Sequence, residues 1–224
     1  MSEPTTEVGD RAGFLARIRE RQGPPPRSGP HPAPDPPEVV PEVRYRSLDD
    51  VAGPGLVDVF ATAARAAEAT VDVVAPDGID EPLRAVVETH EVHTAVVSND
   101  PGLDRVAGVL AGLGVAVSPY DRETAATADL AVTGATHGLA STGSVVVDTE
   151  VAGSRAVSLL PRVHLCVLPA ERIVPTHADV LRHQSRPMPS CRVVITGPSR
   201  TGDIEQRLTL GAHGPVALHL LVTT

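Results

Sequence analysis

"TVDVVAPDGIDEPLRAVVETHEVHTAVVSNDPGLDRVAGVLAGLGVAVS", residues 70–118, is the stretch whose rhythm sets the fold class. Short Val-rich runs, Thr70 to Ala75, Thr94 to Ser98 and Gly114 to Ser118, alternate with helical stretches at Asp80 to Thr89 and Leu103 to Ala111. Parallel strands need a long crossover, usually a helix, and each gap here is long enough to hold one. The pattern predicts βαβ units and a parallel sheet. Upstream, Leu56 to Ala69 is Ala-rich and helical after a Gly53-Pro54-Gly55 break. Downstream the texture changes. Asp129 to Thr133, Ser144 to Asp148, Val163 to Leu168, Arg192 to Thr196 and Val216 to Val222 read as strands, with a helix only at about Thr176 to His183. The expectation is an α/β fold: an open mixed, mainly parallel sheet flanked by helices, with antiparallel pieces added.

Residues 1–42 read as a separate N-terminal segment and 43–224 as the α/β domain. Gly13 to Arg21 is a short amphipathic helix with Phe14, Leu15 and Ile18 on one face. Residues 23–41, GPPPRSGPHPAPDPPEVVP, contain too much proline for helix or sheet and form an extended tether. The helix is either a tail or an arm that docks on a second subunit or a partner.

Aromatics are only 2% of the chain and there is no Trp, so Val, Leu, Ile and Ala must build the core. A net charge of -9 without a Lys/Arg stripe argues against a nucleic-acid surface. No apolar run reaches the roughly 20 residues of a spanning helix. The start, MSEPTTEVGDRAG, lacks an apolar signal core, so a cytoplasmic protein is expected. Two cysteines, Cys166 and Cys191, cannot supply a Cys-ligated iron–sulfur cluster or a Cys-rich zinc site. His90 and His93 have metal-like spacing without a third ligand nearby, so no metal is expected. There is no G-x-G-x-x-G after a strand and no G-x-S-x-G elbow, which argues against a dinucleotide fold and a hydrolase serine.

Two polar loops remain. In Thr133 to Ser144 (TGATHGLASTGS), glycines among hydroxyls permit a backbone nest for an anion. Thr142, Gly143 and Ser144 are the candidate donors, and Arg155 is placed to clamp a carboxylate or phosphate. The plainer alternative is a turn with a surface arginine. In the closing loop, Gly197, Ser199, Arg200 and Thr201 offer amides, hydroxyls and a guanidinium. Ile204 to Leu210 reads as a short helix or an edge strand. Asp203 and Glu205 are either acids of a helical first turn or a general base or nucleophile. His213, between Gly211-Ala212 and Gly214-Pro215, is either held at a strand end, where α/β sites form, or a solvated loop histidine.

Three phrases, ADLAVTGATHGLASTGSVVVD, RAVSLLPRVHLCVLPAERIVP and ITGPSRTGDIEQRLTLGAHGPVALHLLV, occur in this order. Together they resemble the lactate utilisation protein C family from roughly Leu48 to Val222. The matching positions are Thr142, Gly143, Arg155, Leu159, Leu160 and Pro161, then Gly197, Pro198, Ser199, Asp203, Ile204, Glu205, Gly211, His213, Gly214 and Pro215. The resemblance implies a fold similar to that of ribose-phosphate isomerases and CoA transferases. It also implies an accessory role in oxidising L-lactate to pyruvate, with iron–sulfur clusters on partner proteins and no cofactor on this chain. Many members carry an acidic residue where this chain has Ser141, which moves any acid–base role toward Asp203 and Glu205. The expected function is therefore an accessory subunit that binds a small anionic ligand. The alternatives are a stand-alone acyl- or phosphate-ester enzyme using Glu205 or Asp203, with His213, and a non-catalytic sensor. Self-association stays open.

Overall fold

The computed structural model describes residues 54–182, 189–201, 209–210 and 213–224, together with Ala16 and Glu20. The chain divides into two units, residues 1–45 and 46–224. In the first, Ala16 and Glu20 are helical, and the rest of the expected Gly13 to Arg21 helix and the tether lie outside the described residues.

The second unit opens with α1 (Pro54–Ala66), where proline occupies the first helical position, a place with no amide to lose. Then come β1 (Thr70–Val74), α2 (Asp80–His90), β2 (Thr94–Val97), α3 (Asp104–Gly112) and β3 (Ala116–Pro119). The third strand starts two residues later than its Val-rich run suggests. Gly114 has φ +86° and closes α3 through backbone bonds from its own N–H and that of Val115, so it belongs to the helix end. Next are α4 (Arg122–Thr127), β4 (Leu130–Gly134), β5 (His137–Leu139), β6 (Ser144–Asp148) and α5 (Thr149–Ala152). A 3₁₀ turn (Arg155–Ser158), β7 (Val163–Pro169), a second 3₁₀ turn (Ala170–Arg172), β8 (Ile173–Val174) and α6 (His177–Arg182) come after these. The remainder is β9 (Arg192–Ile195), β10 (Arg200–Thr201), β11 (Thr209–Leu210) and β12 (Ala217–Thr223).

Six strands form the main sheet in the order β1-β12-β7-β4-β2-β3, and every pairing in it is parallel. The antiparallel pairings are segregated into a four-stranded sheet, β8-β5-β6-β9, and the short ribbon β10-β11. At the edge of the four-stranded sheet, Arg192 donates to both carboxylate oxygens of Asp148, at 2.7 and 2.9 Å. The two residues are register partners, so this bidentate pair pins β9 to β6.

Alternation along the parallel strands divides the interior in two. Leu130, Val132, Leu165 and Leu221 face α2 and α3, meeting Leu83, Val86, Val106 and Leu110. Cys166, Leu168, Leu220 and Val222 point the other way, into a core shared with Phe60 and Ala64 of α1 and with Val145 and Val147 of the second sheet. The opposite face of that sheet is covered by Val180 of α6. Both faces of the main sheet are thus buried, as an all-parallel sheet requires. Among the described residues, no helix is long and apolar enough to cross a membrane.

Candidate functional site

The order of the main sheet locates a crevice before any side chain is considered. From β2 the chain travels outward, through α3, to β3 at the edge. From β4 it eventually returns inward to β7. The connections leave the carboxyl ends of β2 and β4 in opposite directions, and ligands of open α/β sheets bind at such a switch point. A cleft of about 480 Å³ opens there. Its rim is formed by Asp100 after β2, Gly134 at the end of β4 with Thr136 beyond it, and Arg172 after β7, with Arg105 rising from the first turn of α3. Ile79, Leu103, Val106, Val167 and Leu221 supply aliphatic wall.

Each polar group is held by its neighbours. Ser98 Oγ donates to Asp100 Oδ2. Gly134 makes room for that carboxylate: a methyl group there would lie 3.0–3.2 Å from Cβ, Cγ and Oδ1 of Asp100. Arg172 donates from Nη1 to the carbonyl of Ala135 at 3.0 Å. Asp100 and Arg172 therefore flank the same short segment, residues 134–136. Arg105 donates to the carbonyl of Asp77 at 3.1 Å and lies 3.9 Å from Asp80, leaving further N–H groups of its five.

On the face of the sheet turned away from α2 and α3, at the end of β4 and inside β7, is a buried polar file. Thr133 Oγ1 lies 2.8 Å from His164 Nε2 and donates to Cys166 Sγ at 3.5 Å. Burial pushes the His164 imidazole down to about 4. Burial likewise pushes the Cys166 thiol up to about 12, against the bond from Thr133, and the Asp100 charge adds to the rise. Both groups are neutral at pH 7, so this file is structural polarity and not a reactive thiol.

The loops singled out in the sequence lie elsewhere. Ser144 Oγ is 2.7 Å from Thr142 Oγ1 and 2.7 Å from Thr196 Oγ1, so the Gly/Ser loop and the closing loop do touch. Both press on α1 and the residues after it. At Gly143 (φ +65°) and Gly197 (φ +69°) an added Cβ would lie 2.0 Å from Ala64 N and Ala67 O respectively. Ser199 N–H donates to Pro215 O, and Val216 N–H to Arg162 O, just before β12 and β7 begin. This junction thus stands toward the amino ends of the strands, away from the cleft. Arg200 is paired there with Glu68 at 2.6 Å. Arg155 is exposed at the start of the first 3₁₀ turn, and His213 is exposed beside Gly214 and Pro215. The backbone of Thr201 pairs with Thr209 in the β10-β11 ribbon, while Asp203 and Glu205 lie outside the described residues. Asp100, Arg105, Thr136 and Arg172 are absent from the residues chosen from sequence. One signal was available: Asp100, Thr136 and Arg172 lie within four residues beyond predicted strands, where parallel sheets place their sites.

The family model of the LUD domain matches residues 109–223, which hold β4, β7, β12, the second sheet and both motif loops. The chain belongs to the LUD domain family. Among relatives of this LUD domain, "Lactate utilization protein C" of Halalkalibacterium halodurans is 26% identical over 193 residues, covering 80% of this chain and 84% of the relative. "Lactate utilization protein C" of Macrococcus caseolyticus is 30% identical over 157 residues, covering 65% and 68%. The crystal structure of a DUF162 family protein from Deinococcus radiodurans shares the fold. It aligns with a TM-score of 0.53 at 20% identity, over 75% of this chain and 96% of that one.

Proposed function

We propose that this chain serves L-lactate utilisation as an accessory subunit, acting with iron–sulfur partner proteins, and that it binds a small organic anion in the switch-point cleft. Kinship with proteins named for lactate utilisation supports the role. The observation that carries the binding reading is the cleft itself, where Arg172 and Arg105 border one concavity at the carboxyl ends of parallel strands. An arginine there offers a carboxylate two parallel N–H donors. Oxidation needs an electron acceptor. With two cysteines in the sequence, a four-cysteine cluster would have to sit on a partner.

The test is reconstitution with the partner proteins, following L-lactate-dependent reduction of an artificial electron acceptor. Activity should fall when this chain is omitted, and Arg172→Gln should restore it about tenfold less well than the natural chain. Undiminished activity without the chain would overturn the accessory reading. Turnover by the chain alone would favour the stand-alone enzyme, with Glu205 or Asp203 as its acid or base.

A further inference from the structure

We infer that Asp100 is the residue that selects the occupant of the cleft, admitting organic acids that carry a hydroxyl beside the carboxylate and turning away the corresponding oxo acids. The inference rests on the reading of the cleft as the anion site and adds what that anion must look like.

The cleft is not uniformly cationic. Asp100 and Arg172 flank the same rim segment, residues 134–136, and the carboxylate's position is doubly enforced by the Ser98 hydroxyl on Oδ2 and by the missing side chain of Gly134. An ionised carboxylate is an acceptor only. A guest that presents nothing but oxygen lone pairs therefore meets Arg172 favourably and Asp100 unfavourably. A dianionic phosphate meets the same objection more strongly. A guest with an anionic end for Arg172 and an adjacent O–H for Asp100 satisfies both, and a hydrogen bond to a charged acceptor is among the stronger ones. An oxo group in place of the hydroxyl turns that contact into repulsion between acceptors, and buried polar groups left unpaired are the basis of strong discrimination. The cleft accordingly faces the reduced side of an alcohol-to-ketone conversion, holding the hydroxy acid before it is oxidised and releasing the oxo acid formed from it.

Three acids of equal carbon number, L-lactate, propionate and pyruvate, titrated into the full chain and followed by ligand-observed NMR, test this. L-lactate should bind about tenfold more tightly than propionate, and pyruvate more weakly than propionate. Asp100→Asn, whose amide both donates and accepts, should bring L-lactate and pyruvate within about twofold of each other. Gly134→Ala, which displaces the carboxylate, should do the same and keeps the test available if the first variant fails to fold. Arg172→Gln should weaken all three acids while preserving their order. Equal binding of the three acids by the natural chain, or an unchanged order in both Asp100→Asn and Gly134→Ala, would overturn the inference and leave the anion site standing. No binding of any of them would remove the anion site and the inference with it.

Discussion

At the scale of single residues, the buried trio of Thr133, His164 and Cys166 shows how polarity survives inside a parallel sheet. Thr133 is fully buried and His164 only 1% exposed. The hydroxyl donates to Cys166 Sγ, so it receives the Nε2–H of His164. That assignment leaves His164 Nδ1 as a bare acceptor, and the structure shows no partner for it among the described residues. Thr133→Val keeps the shape and removes the hydroxyl, stranding an N–H in the core. The expected cost is about 1–3 kcal/mol, read as a fall of several degrees in the melting temperature. Loss smaller than half a degree would mean that water or a shifted side chain takes over. None of this was legible in the sequence. Thr133 and His164 are 31 positions apart and face each other only because β4 and β7 are neighbours.

At the scale of elements, glycines carry two different meanings that composition cannot separate. Gly143 and Gly197 let two loops rest on the alanine-rich end of α1 and the turn after it, where their positive φ and the proximity of backbone both exclude a side chain. Gly143→Ala or Gly197→Ala should each destabilise by roughly 3 kcal/mol, the sum of left-handed strain and overpacking. Gly108 is the contrast. It is exposed within α3, with nothing within 4 Å of an added Cβ. Gly108→Ala should stabilise by about 0.5–1 kcal/mol, because alanine loses less backbone freedom in a helix. Chemical denaturation of the three variants reads both signs, and a stabilised Gly143→Ala would refute the packing role. The glycine-rich loops were conspicuous in the sequence as turns. That their glycines serve as landing sites for α1 depends on where that helix lies, and no local signal records it.

At the scale of the whole molecule, two buried histidines tie stability to pH. Burial pushes His164 down to about 4. Burial, and then the neighbouring His90, push His219 down to about 4 as well. His90 and His219 face each other with Nε2 atoms 2.8 Å apart, a contact that requires one ring to accept and therefore to be neutral. Both folded values lie below the unfolded 6.5, so the unfolded chain takes up protons first. Stability is fully present above about pH 6.5 and is lost as pH falls toward 4, by up to about 3 kcal/mol for each histidine. Urea unfolding at pH 7, 5.5 and 4.5 should show this decline, and His219→Gln should flatten it. A flat profile in the natural chain would contradict the burial argument. The sequence by itself determined the α/β class, six strands that became the main sheet and the membership of the motif loops in one family, because periodicity and turn chemistry are local properties. Only the tertiary structure decided which strands are neighbours, that the antiparallel pairings stay out of the six-stranded sheet, and that Asp100 and Arg172 share one cleft. Those facts follow from strand order, which is settled by how distant apolar faces bury one another and not by any stretch of chain alone.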